Sequence, residues 1–142
     1  MWLNGIAHIQ VTSPPEVENA MLFFYSQILE LTEISKPEVL QANGGAWYVL
    51  GDIQIHVGIE KPANNEVSRR HICFRVHNLE AFAKHLQVHG VEIISVGAAR
   101  RRHRVPPSVA DRLQPGYNRF FIRDPGGNRI EIAEFVHHKP ES

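Results

Sequence analysis

The sequence predicts an α+β fold made of two copies of one module, each a strand, a helix and then two or three further strands. Two observations predict it. Apolar residues alternate with polar ones in several short runs, the period of a half-buried strand, and recur every three to four residues in two others, the period of a helix. The order of those runs over residues 4–60 then returns over residues 70–136. At 142 residues the chain is one domain's worth of sequence, read as a single domain over 1–142 in which each half needs the other to bury its sheet. Residues 61–69 are polar, carry Pro62 and read as the linker; residues 137–142 read as a tail.

Residues 4–12 read as the first strand. Ser13-Pro14-Pro15-Glu16 follows, with a hydroxyl at the cap and prolines where no N–H is required. Val17, Met21, Phe24 and Ile28 recur at helical spacing and predict a helix over 15–29. Strands are expected at 38–41, 46–50 and 53–60. They are parted by Asn43-Gly44-Gly45, read as a hairpin signal, and by Gly51-Asp52. In the second half, 70–76 reads as a strand. Asn78 caps a helix whose apolar face is Leu79, Phe82, Ala83 and Leu86, and Gly90 ends it. Residues 91–96 read as a strand and 97–117 as a long loop rich in Arg and Pro. Residues 119–123 and 129–135 read as a hairpin around Asp124-Pro125-Gly126-Gly127-Asn128.

Side chains on a strand alternate between two faces. Ile9 and Val11, Ile55 and Val57, Ile72 and Phe74, and Ile130 and Ile132 fall on faces that can pack under the helices. The opposite faces carry His8 and Gln10, Gln54 and His56, His71, Cys73 and Arg75, and Glu131. A wet face on a sheet needs no function, and any one of these histidines taken alone is more often solvated than ligating. The joint pattern says more. His8 and His71 stand near the start of the first strand of their halves, and His56 and Glu131 stand in the last strand. Imidazole and carboxylate are ordinary ligands of divalent transition metals, so the four predict one shared ion.

Composition excludes several classes. Lys plus Arg number 15 and Asp plus Glu 15, so the formal charge is zero with His neutral. That disfavours non-specific nucleic-acid binding and a polybasic membrane anchor. Cys73 is the one cysteine and cannot form an internal disulfide, which fits a reducing, cytoplasmic setting. The first residues lack the pattern of a signal peptide, and no apolar run approaches a bilayer span. Nine histidines are a mild surplus, of which His137 and His138 fall in the tail.

On these residues the chain resembles the vicinal oxygen chelate superfamily, which includes glyoxalase I, fosfomycin-resistance transferases, bleomycin-resistance proteins and extradiol dioxygenases. The resemblance is carried by His8, by Phe23-Phe24-Tyr25 with Leu29-Glu30-Leu31, by His71, and above all by the stretch from Phe121 through Asp124-Pro125-Gly126-Gly127-Asn128 to Ile130-Glu131. It spans roughly 4–136. It implies paired βαβββ modules, 4–60 and 70–136, whose curled sheet surrounds a central trough, and commonly a homodimer. It also implies a divalent ion (Fe, Mn, Ni, Co or Zn) on His8, His71 and Glu131, with open positions for a bidentate oxygen substrate. His56 holds the fourth place, where glyoxalase I has a carboxylate; it is read as a fourth ligand or a neutral base. The expected activity is a metal-dependent lyase or isomerase, or a ring-cleaving dioxygenase, on a small oxygenated substrate. The competing class is a non-catalytic binding or sequestering protein of the bleomycin-resistance type. Those proteins generally lack this ligand set.

Arg75 and Arg119 are candidates to pair with a substrate carboxylate or enolate, and Tyr117 to cap the trough mouth. Each is as readily a surface salt bridge or ordinary packing. The run Arg100–Arg104 reads as a solvated loop, with a lid over an anionic substrate as its functional alternative. Cys73 should face as His71 does and reads as a small wall residue rather than a nucleophile. Of Trp47 and Tyr48, one faces the core and the other the trough.

Overall fold

The computed structural model describes residues 1–94 and 117–135, with the side chains of Tyr117 and Phe135 outside the description. The expectations for the strand end at 95–96, the 97–116 loop with its arginine run, and the tail histidines lie outside the described residues. The chain forms two compact units. The first is residues 1–68 with 124–128, and the second is residues 69–123 with 129–142. The class is α+β, as expected, with one mixed sheet in each unit.

The first unit contains β1 (His8–Ser13), α1 (Glu18–Phe23), β2 (Thr32–Ile34), β3 (Ala46–Leu50) and β4 (Ile53–Ile59), with strand order β1-β4-β3-β2. β1 runs parallel to β4; the other pairs are antiparallel. The expected first helix exists but is composite. A 3-10 turn, Pro15–Val17, leads into α1, which ends in a π turn, Phe24–Ile28. Ser26 Oγ donates to the Leu22 carbonyl inside that widened turn, at 2.6 Å. Met21, Phe24, Tyr25 and Ile28 go inward and meet Val11, Tyr48, Ile55 and Val57 in the core. Glu30, at φ 58°, turns the chain out of the helix.

One strand is corrected. The second strand is Thr32–Ile34, not 38–41. Residues Glu38–Asn43 form 3-10 turns after Pro37, and Val39 is 85% exposed, so the segment has no apolar face to lay on a sheet. Asn43-Gly44-Gly45 is therefore not a hairpin turn. Gly44 and Gly45, at φ 73° and 78°, steer the 3-10 segment into β3. The tight hairpin is Gly51-Asp52, where Leu50 pairs with Ile53 and Gly51 supplies φ 58°. Gly45 also touches its neighbour strand. A Cβ there would stand 1.9 Å from the Val57 carbonyl oxygen. Gly45→Ala is expected to cost several kcal/mol, roughly 3 or more, through the clash and the positive φ together, measured by chemical denaturation.

The second unit contains β5 (His71–Arg75), α2 (Leu79–Val88), β6 (Tyr117–Arg123) and β7 (Arg129–Phe135), with order β5-β7-β6. β5 runs parallel to β7, and β6 runs antiparallel to it. Of the strand expected at 91–96, the described part makes a single bridge, Ile94 to Phe121, along the free side of β6. That completes the arrangement of the first unit, with first strand, last strand, third and second in spatial order. The second helix matches expectation. Asn78 Oδ1 accepts from the Ala81 N–H at 2.9 Å, and Gly90 at φ 75° closes the end. Leu79 and Leu86 are buried, as are Phe120, Ile122, Ile130 and Ile132 on the sheet.

Candidate metal centre

In the second unit the strand register lays out one face as three rows. His71 aligns with Arg129 and Arg123, Cys73 with Glu131 and Phe121, and Arg75 with Ala133 and Arg119. Glu131 is at the centre of this grid and is buried. His71 Nε2 lies 3.1 Å from Glu131 Oε1, and His71 Nδ1 lies 3.0 Å from the Arg69 carbonyl oxygen. A carbonyl can only accept, so Nδ1 carries the proton. In the neutral ring the Nε2 lone pair then faces a carboxylate oxygen. Two acceptors this close repel unless a second ring proton or a metal cation lies between them. Ligand atoms at ~2.1 Å from one ion stand about 3 Å apart when adjacent, so the spacing suits a shared ion. A backbone carbonyl on the far nitrogen is also the usual way a ligating histidine is oriented.

Around this pair the charge is positive. Arg119 Nη1 is 4.0 Å from Glu131 Oε2. The Arg129 guanidinium lies over the Phe121 ring, 3.9 Å from its centroid. The edge contact of His71 with Phe121, at 5.4 Å between centroids, helps fix the imidazole. Cys73 is beside Glu131 in register. Desolvation, then the Glu131 carboxylate, push its thiol up to about 11. It is therefore a thiol rather than a thiolate at neutral pH.

In the first unit, register pairs Gln10 with His56 and His56 with Trp47. The rings of Trp47 and His56 stack at 3.8 Å and 3°, and those of His56 and His8 at 4.2 Å and 10°. His56, the middle ring, is only 5% exposed. Its Nε2 is 2.9 Å from Gln54 Oε1. An amide oxygen accepts, so Nε2 donates and Nδ1 keeps the lone pair. Burial, then His8 and Lys36, lower the His56 pKa below its ordinary value. A metal lies in the plane of each imidazole it binds, so two parallel rings cannot share one ion in this arrangement. His8 is the outer, exposed ring and the better placed to ligate; His56 backs it.

The lowered pKa has a consequence for stability. A histidine whose folded pKa falls below its unfolded value of about 6.5 stabilises the fold fully above that value. The contribution is lost as pH falls through the folded pKa. Metal-free protein is expected to lose stability between pH 7.5 and 5, and His56→Phe, which keeps a ring in the stack, to lose less. Urea denaturation at several pH values measures both slopes.

The two units place these residues equivalently. Gln10 pairs with His56 as Cys73 pairs with Glu131, and His8 precedes Gln10 as His71 precedes Cys73, by two residues on the same face. Each pair, His8 with His56 and His71 with Glu131, forms inside its own unit. Among the described residues no group of three or more His, Cys, Asp or Glu is arranged so that it could hold a metal ion. Arg75 and Arg119 flank the small Ala133, one row from Glu131. Tyr117 begins β6, and its side chain lies outside the description. Trp47 takes the polar face and Tyr48 the core, which settles the open choice between them. Arg129 was not foreseen, although its parity with Glu131 on one strand places it on the same face. Lys36, which acts on His56 by its charge, gave no sequence signal.

A family model described as the Glyoxalase/Bleomycin resistance protein/Dioxygenase superfamily matches residues 5–132. A glyoxalase family protein from Bacillus anthracis is 33% identical, with 96% of this chain and 98% of that one covered and a TM-score of 0.77. The genomically encoded fosfomycin resistance protein FosX from Listeria monocytogenes is 15% identical, with 94% and 93% covered and a TM-score of 0.69. TnmS3, an antibiotic binding protein from Streptomyces sp. CB03234, is 16% identical, with 96% and 99% covered and a TM-score of 0.66. The last two share the fold. No protein of curated function matches the chain.

Proposed function

Because this chain belongs to the glyoxalase/bleomycin resistance protein/dioxygenase superfamily, we propose that it is a metal-dependent enzyme acting on a small oxygenated substrate, by lyase or isomerase chemistry or by ring-cleaving oxygenation. The observation that carries the reading is the 3.1 Å approach of His71 Nε2 to Glu131 Oε1, with the His71 proton held on the other nitrogen by Arg69. The proposed ligands of a divalent ion are His71, Glu131 and His8. His56 is the fourth ligand after a ring rotation, or the base.

Such an ion supplies Lewis acidity toward a carbonyl, enediol or catechol that offers two oxygens. The chain's own residues do the rest. His71 and Glu131 present two donors with their orientations fixed. His56, neutral and with its Nε2 proton committed to Gln54, keeps Nδ1 as a proton acceptor. Arg75 and Arg119 are proposed to hold the anionic end of the substrate, with Ala133 leaving room between them. Tyr117 is proposed as a further substrate contact. Among the described residues no helix is long and apolar enough to cross a membrane. A cytoplasmic homodimer is part of the proposal and is checked by sedimentation velocity.

The test is turnover on two substrate panels, one of α-ketoaldehydes and epimerisable acids under nitrogen, one of catechols with oxygen uptake recorded. Activity on either, lost on chelation and restored by metal, supports the enzyme. Tight binding of such compounds to chelated protein without turnover would move the chain to the binding class.

A further inference from the structure

The second unit carries another pair of histidines, which the proposed centre does not use. His85 and His89 are four residues apart at the C-terminal end of α2, so they lie one above the other on one face of the helix. Their ring centroids are 4.5 Å apart and the planes are tilted by 50°. His89 is exposed and His85 half-buried. α2 packs against β7 through its Leu79 and Leu86 side, so this pair belongs to the helix surface and not to the sheet face that carries Glu131.

Both rings are held in place. His89 Nδ1 is 2.9 Å from the His85 carbonyl oxygen. Because that oxygen accepts, Nδ1 carries the proton and Nε2 keeps its lone pair for a ligand. The His85 ring stacks on Phe82, with centroids 5.8 Å apart and planes within 20°. The position adds an electrostatic preference. The last turn of a helix carries the partial negative charge of its free carbonyls, which favours a cation. Two imidazoles one turn apart are also the spacing by which helical histidine pairs chelate a transition ion.

We propose that His85 and His89 form a second, surface metal site, a bidentate imidazole chelate for a borderline divalent cation, tightest for Cu2+ and next for Zn2+ or Ni2+. Water completes the coordination. The site is independent of the centre on His71 and Glu131. It adds a weaker equivalent of metal to the whole chain.

The experiment uses the full, untagged chain, stripped with chelator and dialysed. Cu2+ is added past one equivalent, so that the tighter centre fills first, and the imidazole proton signals are followed by NMR as the second equivalent binds, with exposed His77 as the internal control. His85 and His89 are expected to broaden together and before His77. In His89→Gln the affinity for Zn2+ at this weaker site, read by calorimetry, is expected to fall by about tenfold or more, since the chelate is lost. The tighter equivalent should be unchanged. Broadening of His85 and His89 no greater than that of His77 would overturn the proposal, as would an unchanged weaker equivalent in folded His89→Gln.

Discussion

Glu131→Ala and His71→Ala are each expected to lower kcat/KM by more than about 100-fold once a turnover is found. Loss of an outer partner of a metal ligand already costs about 10- to 100-fold, and these residues are proposed as the ligands themselves. Glu131→Ala removes the carboxylate that His71 Nε2 faces and that Arg119 approaches. Glu131→Gln is the sharper variant. It keeps the shape, and its amide can donate to His71 Nε2, so the pair no longer needs a cation between its atoms. Glu131→Gln is therefore expected to retain the fold, with an unchanged melting temperature in the metal-free state, while losing activity. Arg75→Ala and Arg119→Ala should differ in kind by raising KM more than they lower kcat. Retention of activity in Glu131→Gln would remove Glu131 from the ligand set.

A large effect on stability is expected at Asp124. It is 4% exposed and is the acceptor at the centre of the 124–128 turn in the first unit. Tyr25 Oη donates to Oδ2 at 2.8 Å, and the Gly126 and Asn128 N–H groups donate to Oδ1 at 3.0 and 2.9 Å. Asn128 Nδ2 donates to the same carboxylate and to the Thr12 carbonyl, where Asn65 Nδ2 also donates. Burial holds the Asp124 carboxyl above its ordinary range, while the hydrogen bonds pull it back. Asp124→Ala strands the fully buried Tyr25 hydroxyl and the turn's donors. The cost is expected to be about 3–5 kcal/mol, or roughly 10–17 °C in Tm. Tyr25→Phe removes one donor and leaves the others, so about 1–2 kcal/mol is expected. Thermal unfolding of the two variants beside the native protein checks the ratio. Equal, small effects would mean that the turn is held by its backbone alone.

The parts that were legible in the sequence are those governed by short-range periodicity. Alternation alone places His8, Gln10, Gln54 and His56 on one face and Ile55 and Val57 on the other. The repeat put His71 and Glu131 where His8 and His56 stand, and the register agrees. Capping chemistry at Asn78 and Gly90 set the bounds of α2 to within about a residue. The misplaced strand shows the limit. Thr32–Ile34 is too short to display a period, and its pairing with β3 decides its state, whereas residues 38–41 looked more strand-like but had nothing to bury. What stayed hidden depends on contacts between residues distant in sequence. Tyr25 finds Asp124 across 99 positions. Trp47 stacks on His56 because β3 and β4 pair in one register and not the next. The tautomer of His71, on which the metal reading turns, is fixed by a backbone carbonyl that has no sequence signature.

Elemental analysis of untagged protein, purified without chelator and dialysed to remove weakly held ions, tests the central claim most directly when run beside Glu131→Gln. A metal centre on Glu131 predicts about one tightly held equivalent of a divalent transition metal in the native protein and a large loss of it in the variant. It would be contradicted by native protein that neither contains such an ion nor takes one up tightly on reconstitution. It would be contradicted equally by a tight equivalent that survives intact in Glu131→Gln.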